Sequence, residues 1–260
     1  MIHFSHGNGF PTETYHQVIK GLRKRAELEV GYISCLGHNP TYPVIDSWSH
    51  LVDEVIEYVE NTYKEPVIGI GHSLGGVISY AAGLKRPDLF KAVLLLDSPL
   101  YSTWKLKSIA IIKALGLVDY VTPARVTRYR RITWPSHEAA MQHFANKRVF
   151  RYFTEKCLRD YVYLGTIPTG NKSEVTLRFN RMIEWQIYKT LPHVKMDRLS
   201  KVPCGLIYGQ YSKVIRPQDA KSMVDDYDIW CHRLDNCGHL FPFEKPEETV
   251  DAILDFISTL

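Results

Sequence analysis

The sequence predicts an α/β protein whose sheet is mostly parallel and covered by helices on both faces. Short runs that are apolar throughout, such as Val67-Ile68-Gly69-Ile70 and Ala92-Val93-Leu94-Leu95-Leu96, alternate with stretches of helical period. A strand without a polar side is buried on both faces, and helices between such strands supply the crossovers that a parallel sheet needs. The chain has 260 residues, 45% hydrophobic and 23% charged, which is enough to bury one large core and excludes a disordered polar chain.

Each element follows from its punctuation. Ile2-His3-Phe4 reads as the first strand, stopped by His6-Gly7-Asn8-Gly9. Helical spacing runs over Thr14–Lys24, and Leu28–Cys35 reads as a strand ended by Gly37-His38-Asn39-Pro40. From Ser47 to Tyr63, the residues Trp48, Leu51, Val52, Val55, Ile56 and Val59 recur at three and four, with Ser47 as the expected N-cap. Pro66–Gly71 is a short buried strand and Leu74–Lys85 a helix. Lys91–Leu96 is a further strand, stopped at Asp97-Ser98-Pro99. Near the C-terminus, strands are expected at Cys204–Gly209 and Ile229–Leu234. Helices are expected at Gln218–Val224 and Pro246–Ile257, the last with proline where its missing N–H is harmless. Right-handed crossovers then line up the strand C-terminal ends along one edge, where ligands of open α/β sheets bind.

Residues 100 to about 200 break this rhythm. Helical spacing appears at Lys105–Leu115, Ser136–Tyr161 and Glu174–Leu191, no strand is clear, and aromatics such as Trp104, Trp134, Tyr161 and Trp185 are frequent. The reading is a helical cap over 99–200, inserted between core segments 1–98 and 201–260. The net charge of +4 is unevenly spread. Residues 100–200 hold 18 Lys and Arg against 7 Asp and Glu, while the remainder holds 14 against 21. Such asymmetry marks either a solvated helical surface or an anion-facing region.

Several classes are set aside. No stretch has the roughly 18 uninterrupted apolar residues of a membrane helix, so no stable membrane insertion is expected. The start, Met1-Ile2-His3-Phe4, does not read as a secretory signal. Five cysteines, odd in number and without zinc spacing, are read as free thiols of a reducing cytoplasm. No nucleic-acid motif is present.

Three segments carry chemistry. Gly71-His72-Ser73-Leu74-Gly75-Gly76 fits G-x-S-x-G between a strand and a helix. In that context the glycines permit the tight turn that lifts a nucleophilic Ser73 above the sheet, and the helix N-terminus favours a developing oxyanion. His72 is read as structural. Asn236-Cys237-Gly238-His239 follows the last strand and places His239 on a loop at the same edge. A serine hydroxyl needs a base, and imidazole titrates near neutrality. In His6-Gly7-Asn8-Gly9-Phe10-Pro11, a backbone N–H would complete an oxyanion hole with that of Leu74. Asn8 is the expected donor and Phe10 the alternative, with His6 holding the loop.

Together these features resemble the α/β-hydrolase superfamily: the order of serine, acid and histidine, the His-Gly loop, the elbow and the late Gly-His. The resemblance implies about six parallel strands, because the sequence opens on the strand before the His6-Gly7 loop. One departure is plain. Most members carry the triad acid in a stretch like G-x-x-D after the next-to-last strand, and here Gly209-Gln210-Tyr211-Ser212 stands there. Serine cannot stabilise an imidazolium as a carboxylate does. Asp97 ends the strand after the elbow, where certain haloalkane dehalogenases of this fold place their acid, and it is the expected substitute. Members acting on haloalkanes and epoxides use an aspartate nucleophile. Ser73 therefore implies acyl transfer: hydrolysis of a small-molecule ester, thioester, lactone or amide, or carbon–carbon bond cleavage of a diketone.

The resemblance implies a carboxylesterase with Ser73, His239 and Asp97 as triad and the N–H groups of Asn8 and Leu74 as oxyanion hole. Phe10, Trp104 and Trp185 are the expected substrate-pocket residues, and no metal or organic cofactor is needed. An acyl-CoA thioesterase, favoured by the basic cap, and a carbon–carbon bond hydrolase are alternatives. The serine at 212 also admits a non-catalytic ligand-binding protein.

Overall fold

The computed structural model describes residues 1–26, 28–170, 173–193, 195–199 and 201–260. The core contributes strands β1 (Ile2–Ser5), β2 (Val30–Tyr32), β3 (Val67–His72) and β4 (Phe90–Leu96). The insertion adds β5 (Thr133–Trp134), β6 (Thr166–Pro168) and β7 (Val175–Leu177), and the core resumes with β8 (Cys204–Gly209) and β9 (Trp230–Leu234). Core strands pair in the order β2-β1-β3-β4-β8-β9, all parallel.

The helices are α1 (His16–Ala26), α2 (Ser49–Thr62) and α3 (Leu74–Lys85). In the insertion they are α4 (Thr103–Ala114), α5 (Val118–Val121), α6 (Ala124–Tyr129), α7 (His137–Ala145), α8 (Glu155–Gly165) and α9 (Arg181–Lys189). The C-terminal part has α10 (Pro217–Tyr227), α11 (Phe241–Glu244) and α12 (Pro246–Ile257).

Strand alternation explains the two-sided burial. In β4, Val93 and Leu95 join one core with Leu51 and Val55 of α2, Val77 of α3 and Met223 of α10. Their neighbours Ala92, Leu94 and Leu96 join the opposite core with Leu22 of α1 and Ile253 and Phe256 of α12. Successive side chains of a strand point to opposite faces, so a run such as Val93-Leu94-Leu95-Leu96 serves both cores. Each fully buried Leu, Val or Ile contributes about 1.5–3 kcal/mol relative to exposure.

The structure departs from the expected elements in four places. Ser47 does not cap α2: Ser47 and Trp48 both have positive φ (60° and 59°), and the helix starts at Ser49. The Trp48 indole N–H donates to the Ile187 carbonyl (3.0 Å), which draws this residue into the core and the chain into a kink. The expected helix over Ser136–Tyr161 is two: α7 ends at Ala145, and α8 begins behind Thr154, whose hydroxyl caps the Cys157 N–H (3.2 Å). Glu174–Leu191 divides into β7 and α9, the latter capped by Asn180 Oδ1 on the Met182 N–H (2.8 Å). Finally, the insertion is not purely helical, since β5-β7-β6 form an antiparallel sheet. Two- and three-residue strands leave no period to read.

Trp134, Phe144, Phe150, Tyr161 and Val175 form a third, small and mainly aromatic cluster, against which Phe10 packs from the loop after β1. The insertion's expected end at Ser200 lies outside the described residues. Among the described residues no helix is long and apolar enough to cross a membrane.

Candidate active site

The turn from β3 to α3 forces Ser73 into φ 53°, ψ −115°. A non-glycine residue there costs on the order of 1–3 kcal/mol, which the surroundings must offset. They do so by close backbone contact. A Cβ on Gly75 would lie 2.1 Å from the Ser5 carbonyl oxygen, and one on Gly71 2.2 Å from the Gly75 carbonyl carbon. The Ser73 N–H donates to the Leu96 carbonyl (2.9 Å), which ties the turn to the end of β4.

Beyond β1 the chain makes a tight turn in which the Phe10 N–H donates to the Gly7 carbonyl (3.1 Å) and Gly9 takes φ 82°. The Phe10 N–H is therefore engaged. Those of Asn8 and Leu74 have no hydrogen-bond partner among the described residues. His6 holds the turn as expected. Its Nδ1–H donates to the Gly7 carbonyl (2.8 Å) and its Nε2 accepts the Leu36 N–H (2.8 Å). Burial lowers this histidine to about 4, consistent with a neutral ring that both donates and accepts.

A chain of hydrogen bonds links this turn to the histidine loop. The Gly7 N–H donates to Tyr15 Oη (2.9 Å), and Tyr15 O–H donates to His72 Nδ1 (2.7 Å). His72 Nε2–H then donates to the His239 carbonyl (2.9 Å). Burial, then the neighbouring His239, pushes the His72 pKa well below its ordinary value, so the ring stays neutral. His72 thus has the structural place the sequence suggests.

His239 Nδ1 lies 2.6 Å from Asp97 Oδ2. Asp97 is buried and, like Ser73, sits at positive φ (49°) where its strand ends. Its carboxylate is well supplied with donors: Oδ1 accepts the Gly209 N–H (3.1 Å) and Oδ2 accepts the Ser212 hydroxyl (2.5 Å). Ser212 Oγ in turn accepts the N–H groups of Val214 (3.0 Å) and Ile215 (3.2 Å). A buried charge is tolerated only with such partners. Ser212, after β8, thus points its hydroxyl at the Asp97 carboxylate at the end of β4.

Ser73, Leu74, Asn8, Phe10 and His239 all line one cavity of about 470 Å³. Ser73 Oγ makes no hydrogen bond among the described residues, and such contacts commonly tighten only with substrate. The walls are mainly apolar, with Leu106 and Ile109 from α4, Val121 from α5 and Ile187 from α9.

Two expected pocket residues are elsewhere. Trp104 is 66% exposed and turns outward from α4. Trp185 lies outside the cavity because its indole N–H donates to Asp119 (3.0 Å) and Arg128 covers its ring at 4.9 Å. The aromatic composition of the insertion did not say which rings face inward.

Other residues were missed. Tyr188 and Lys213 line the cavity. Buried Glu184 of α9 ion-pairs with Arg130 and accepts the Thr127 hydroxyl (3.2 Å), and its carbonyl accepts Asn8 Nδ2–H (3.0 Å). Its carboxylate packs so closely that a Cβ on Gly9 would sit 2.6 Å from it. Helix α9 therefore braces the turn that carries the Asn8 N–H. A glutamate followed by Trp185 on a helical stretch gives no sign of this.

The sequence pattern of the alpha/beta hydrolase family matches residues 4–252. "Uncharacterized hydrolase YugF" of Bacillus subtilis (strain 168) is 25% identical over 215 residues, covering 82% of this chain and 73% of that protein. "Type I acyl-CoA thioesterase mpaH'" of Penicillium brevicompactum is 30% identical over 169 residues, 59% of this chain and only 37% of that protein. In fold, the chain is similar to the crystal structure of E-2-(acetamidomethylene)succinate hydrolase, with TM-score 0.79 and 20% identity over 99% of this chain and 91% of that one. From the family match over nearly its whole length, the chain belongs to the alpha/beta hydrolase family.

Proposed function

We propose that this hydrolase cleaves small to medium acyl esters through an acyl-enzyme on Ser73. The observation that carries the reading is the buried Asp97 carboxylate, 2.6 Å from His239 Nδ1, with His239 and Ser73 lining one cavity. Asp97 fixes the tautomer that leaves Nε2 free to accept the Ser73 proton. Ser73 Oγ attacks the ester carbonyl as that proton moves to Nε2, and Asp97 stabilises the imidazolium. The developing oxyanion accepts from the N–H groups of Asn8 and Leu74, each worth on the order of 10²–10³ in rate. His239 returns the proton to the departing alcohol. Water, deprotonated by His239, then attacks the acyl-enzyme, and the acid leaves as Ser73 regains its proton.

A cavity of about 470 Å³ with apolar walls suits an acyl or aryl group of modest size. Hydrolysis of p-nitrophenyl esters from acetate to dodecanoate, with Ser73→Ala in parallel, tests the reading. A loss of at least about a thousandfold in Ser73→Ala supports it. Turnover unchanged in that variant rules it out.

A second reading, thioester cleavage on an anionic carrier, has one observation in its favour. Lys213 is the only lysine, arginine, aspartate or glutamate among the described residues lining the cavity. The likeness to an acyl-CoA thioesterase agrees with it. A higher kcat/KM for acyl-CoA than for the matching p-nitrophenyl ester, falling as salt rises, would favour this reading.

A further inference from the structure

The cap exposes an unusual amount of apolar surface. Of 17 large hydrophobic side chains that are exposed among the described residues, 13 lie between 99 and 200, and 8 of those between Trp104 and Tyr129. Trp104, Ile111, Leu115, Tyr120, Val126 and Tyr129 are each more than half exposed, with Val126 at 73%. Single exposed apolar residues need no explanation, but a concentration on one subdomain marks a contact surface.

The charges on the same stretch point to the partner. Lys107, Arg125, Arg128, Arg148 and Arg151 are exposed and have no ion pair among the described residues. The half-buried cations Lys105, Lys113 and Arg130 are paired with acids. Between 100 and 152 the only exposed acid is Glu138. Several of the free cations sit over exposed rings: Arg125 over Tyr120 (5.7 Å), Arg128 over Tyr129 (5.5 Å) and Arg151 over Tyr152 (4.5 Å). Apolar side chains flanked by tyrosine, tryptophan and long cationic stems suit the boundary between lipid headgroups and acyl chains.

The surface is also continuous with the cavity. Val121 and Val149 are both more than half exposed and both line it. Leu106 and Ile109, on the same helix as Trp104 and Ile111, form its wall. We infer that the cap face formed by α4, α5, α6 and the Arg148–Phe150 turn docks on an anionic lipid bilayer, with the cavity mouth toward the lipid. The docking is peripheral: apolar side chains enter the interface while the cations meet anionic headgroups. An acidic protein would satisfy the cations but leave Ile111, Leu115 and Val126 without a counterpart, and so would a nucleic acid. Only the purpose of the docking, delivery of an acyl substrate, rests on the esterase reading. Vesicle binding is measured without turnover, so the two ideas fail separately.

The test is flotation of the whole chain with phosphatidylcholine vesicles and with phosphatidylcholine–phosphatidylglycerol vesicles. The chain is expected to float with the mixed vesicles, much less with the neutral ones, and progressively less as salt shortens the Debye length. Each surface cation contributes about fivefold to partitioning. Combined Lys107→Gln, Arg125→Gln and Arg151→Gln should therefore weaken binding roughly a hundredfold. Trp104→Ala with Val126→Ala should weaken it as well. Both variants should hydrolyse p-nitrophenyl butyrate in solution at the parent rate, which shows that they are folded. Equal flotation with neutral and mixed vesicles would overturn the inference, as would unchanged binding by the folded triple variant. Retention on heparin without flotation would overturn it too.

Discussion

Replacing Asp97 by asparagine tests the displaced acid, and the structure sets the size of the effect. Asp97 Oδ1 accepts from the Gly209 N–H, while Oδ2 accepts from the Ser212 hydroxyl and faces His239 Nδ1. An asparagine has one acceptor oxygen. If that oxygen keeps the Gly209 N–H, its NH₂ faces His239, and the imidazole must turn its proton to Nε2. That tautomer cannot accept the Ser73 proton. The reverse orientation sets the NH₂ against the Gly209 N–H, which costs about 1–3 kcal/mol for a buried unpaired donor. Either way the imidazolium loses its carboxylate. The expected loss in kcat/KM is about 10³–10⁴, equivalent to roughly 4–5.5 kcal/mol of transition-state stabilisation. The assay is p-nitrophenyl butyrate hydrolysis at neutral pH, with circular dichroism to show that the variant folds. Adding Ser212→Asp should recover part of the activity, because that side chain starts 2.5 Å from the Asp97 carboxylate. A folded Asp97→Asn protein within about tenfold of the parent rate would refute the reasoning.

Three other outcomes follow from the same structure. Tyr15→Phe removes the acceptor of the buried Gly7 N–H and the donor to His72; chemical denaturation should show a loss of about 1–3 kcal/mol. Gly75→Ala places a Cβ 2.1 Å from the Ser5 carbonyl oxygen, so overpacking of backbone should cost about 3 kcal/mol or more, read as a fall in melting temperature. His3 is buried beside the rings of Tyr58 and Tyr63, and both its ring nitrogens lack partners among the described residues. Burial lowers its pKa from 6.5 to about 3, so between those values the unfolded chain carries a proton that the native chain lacks. The stability tied to it is complete above pH 6.5 and is lost as pH falls. His3→Phe should flatten the stability–pH slope over that window by about 1.4 kcal/mol per unit, measured by denaturant unfolding at several pH values.

What the sequence revealed, and what it did not, follows a physical division. Helix α12 begins and ends where its proline and its period place it, at Pro246 and Ile257. The strands β3 and β4 are visible because burial on both faces removes every polar side chain but Lys91 and the terminal His72 from the stretch that must be apolar. The elbow is legible because close backbone contact at the turn demands glycines at fixed spacing on either side of Ser73. The insertion hides its plan: strands such as Thr133–Trp134 are too short for alternation, and Asn146 and Thr154 break a helical pattern without glycine or proline. Partnerships across the chain were also hidden. Ser212 is the clearest case, since the absence of an aspartate at that position was readable and the hydroxyl's bond to Asp97 was not. The Glu184–Arg130 pair and the Tyr15–His72 link likewise join residues tens of positions apart by shape alone.

Covalent capture reads the nucleophilicity of Ser73 itself. The protein would be incubated with a fluorophosphonate, its intact mass measured and the modified peptide mapped. Stoichiometric labelling at Ser73 is expected, absent in Ser73→Ala and strongly slowed in Asp97→Asn. A folded protein that stays unlabelled, or that carries the adduct on another residue, would contradict a nucleophilic Ser73.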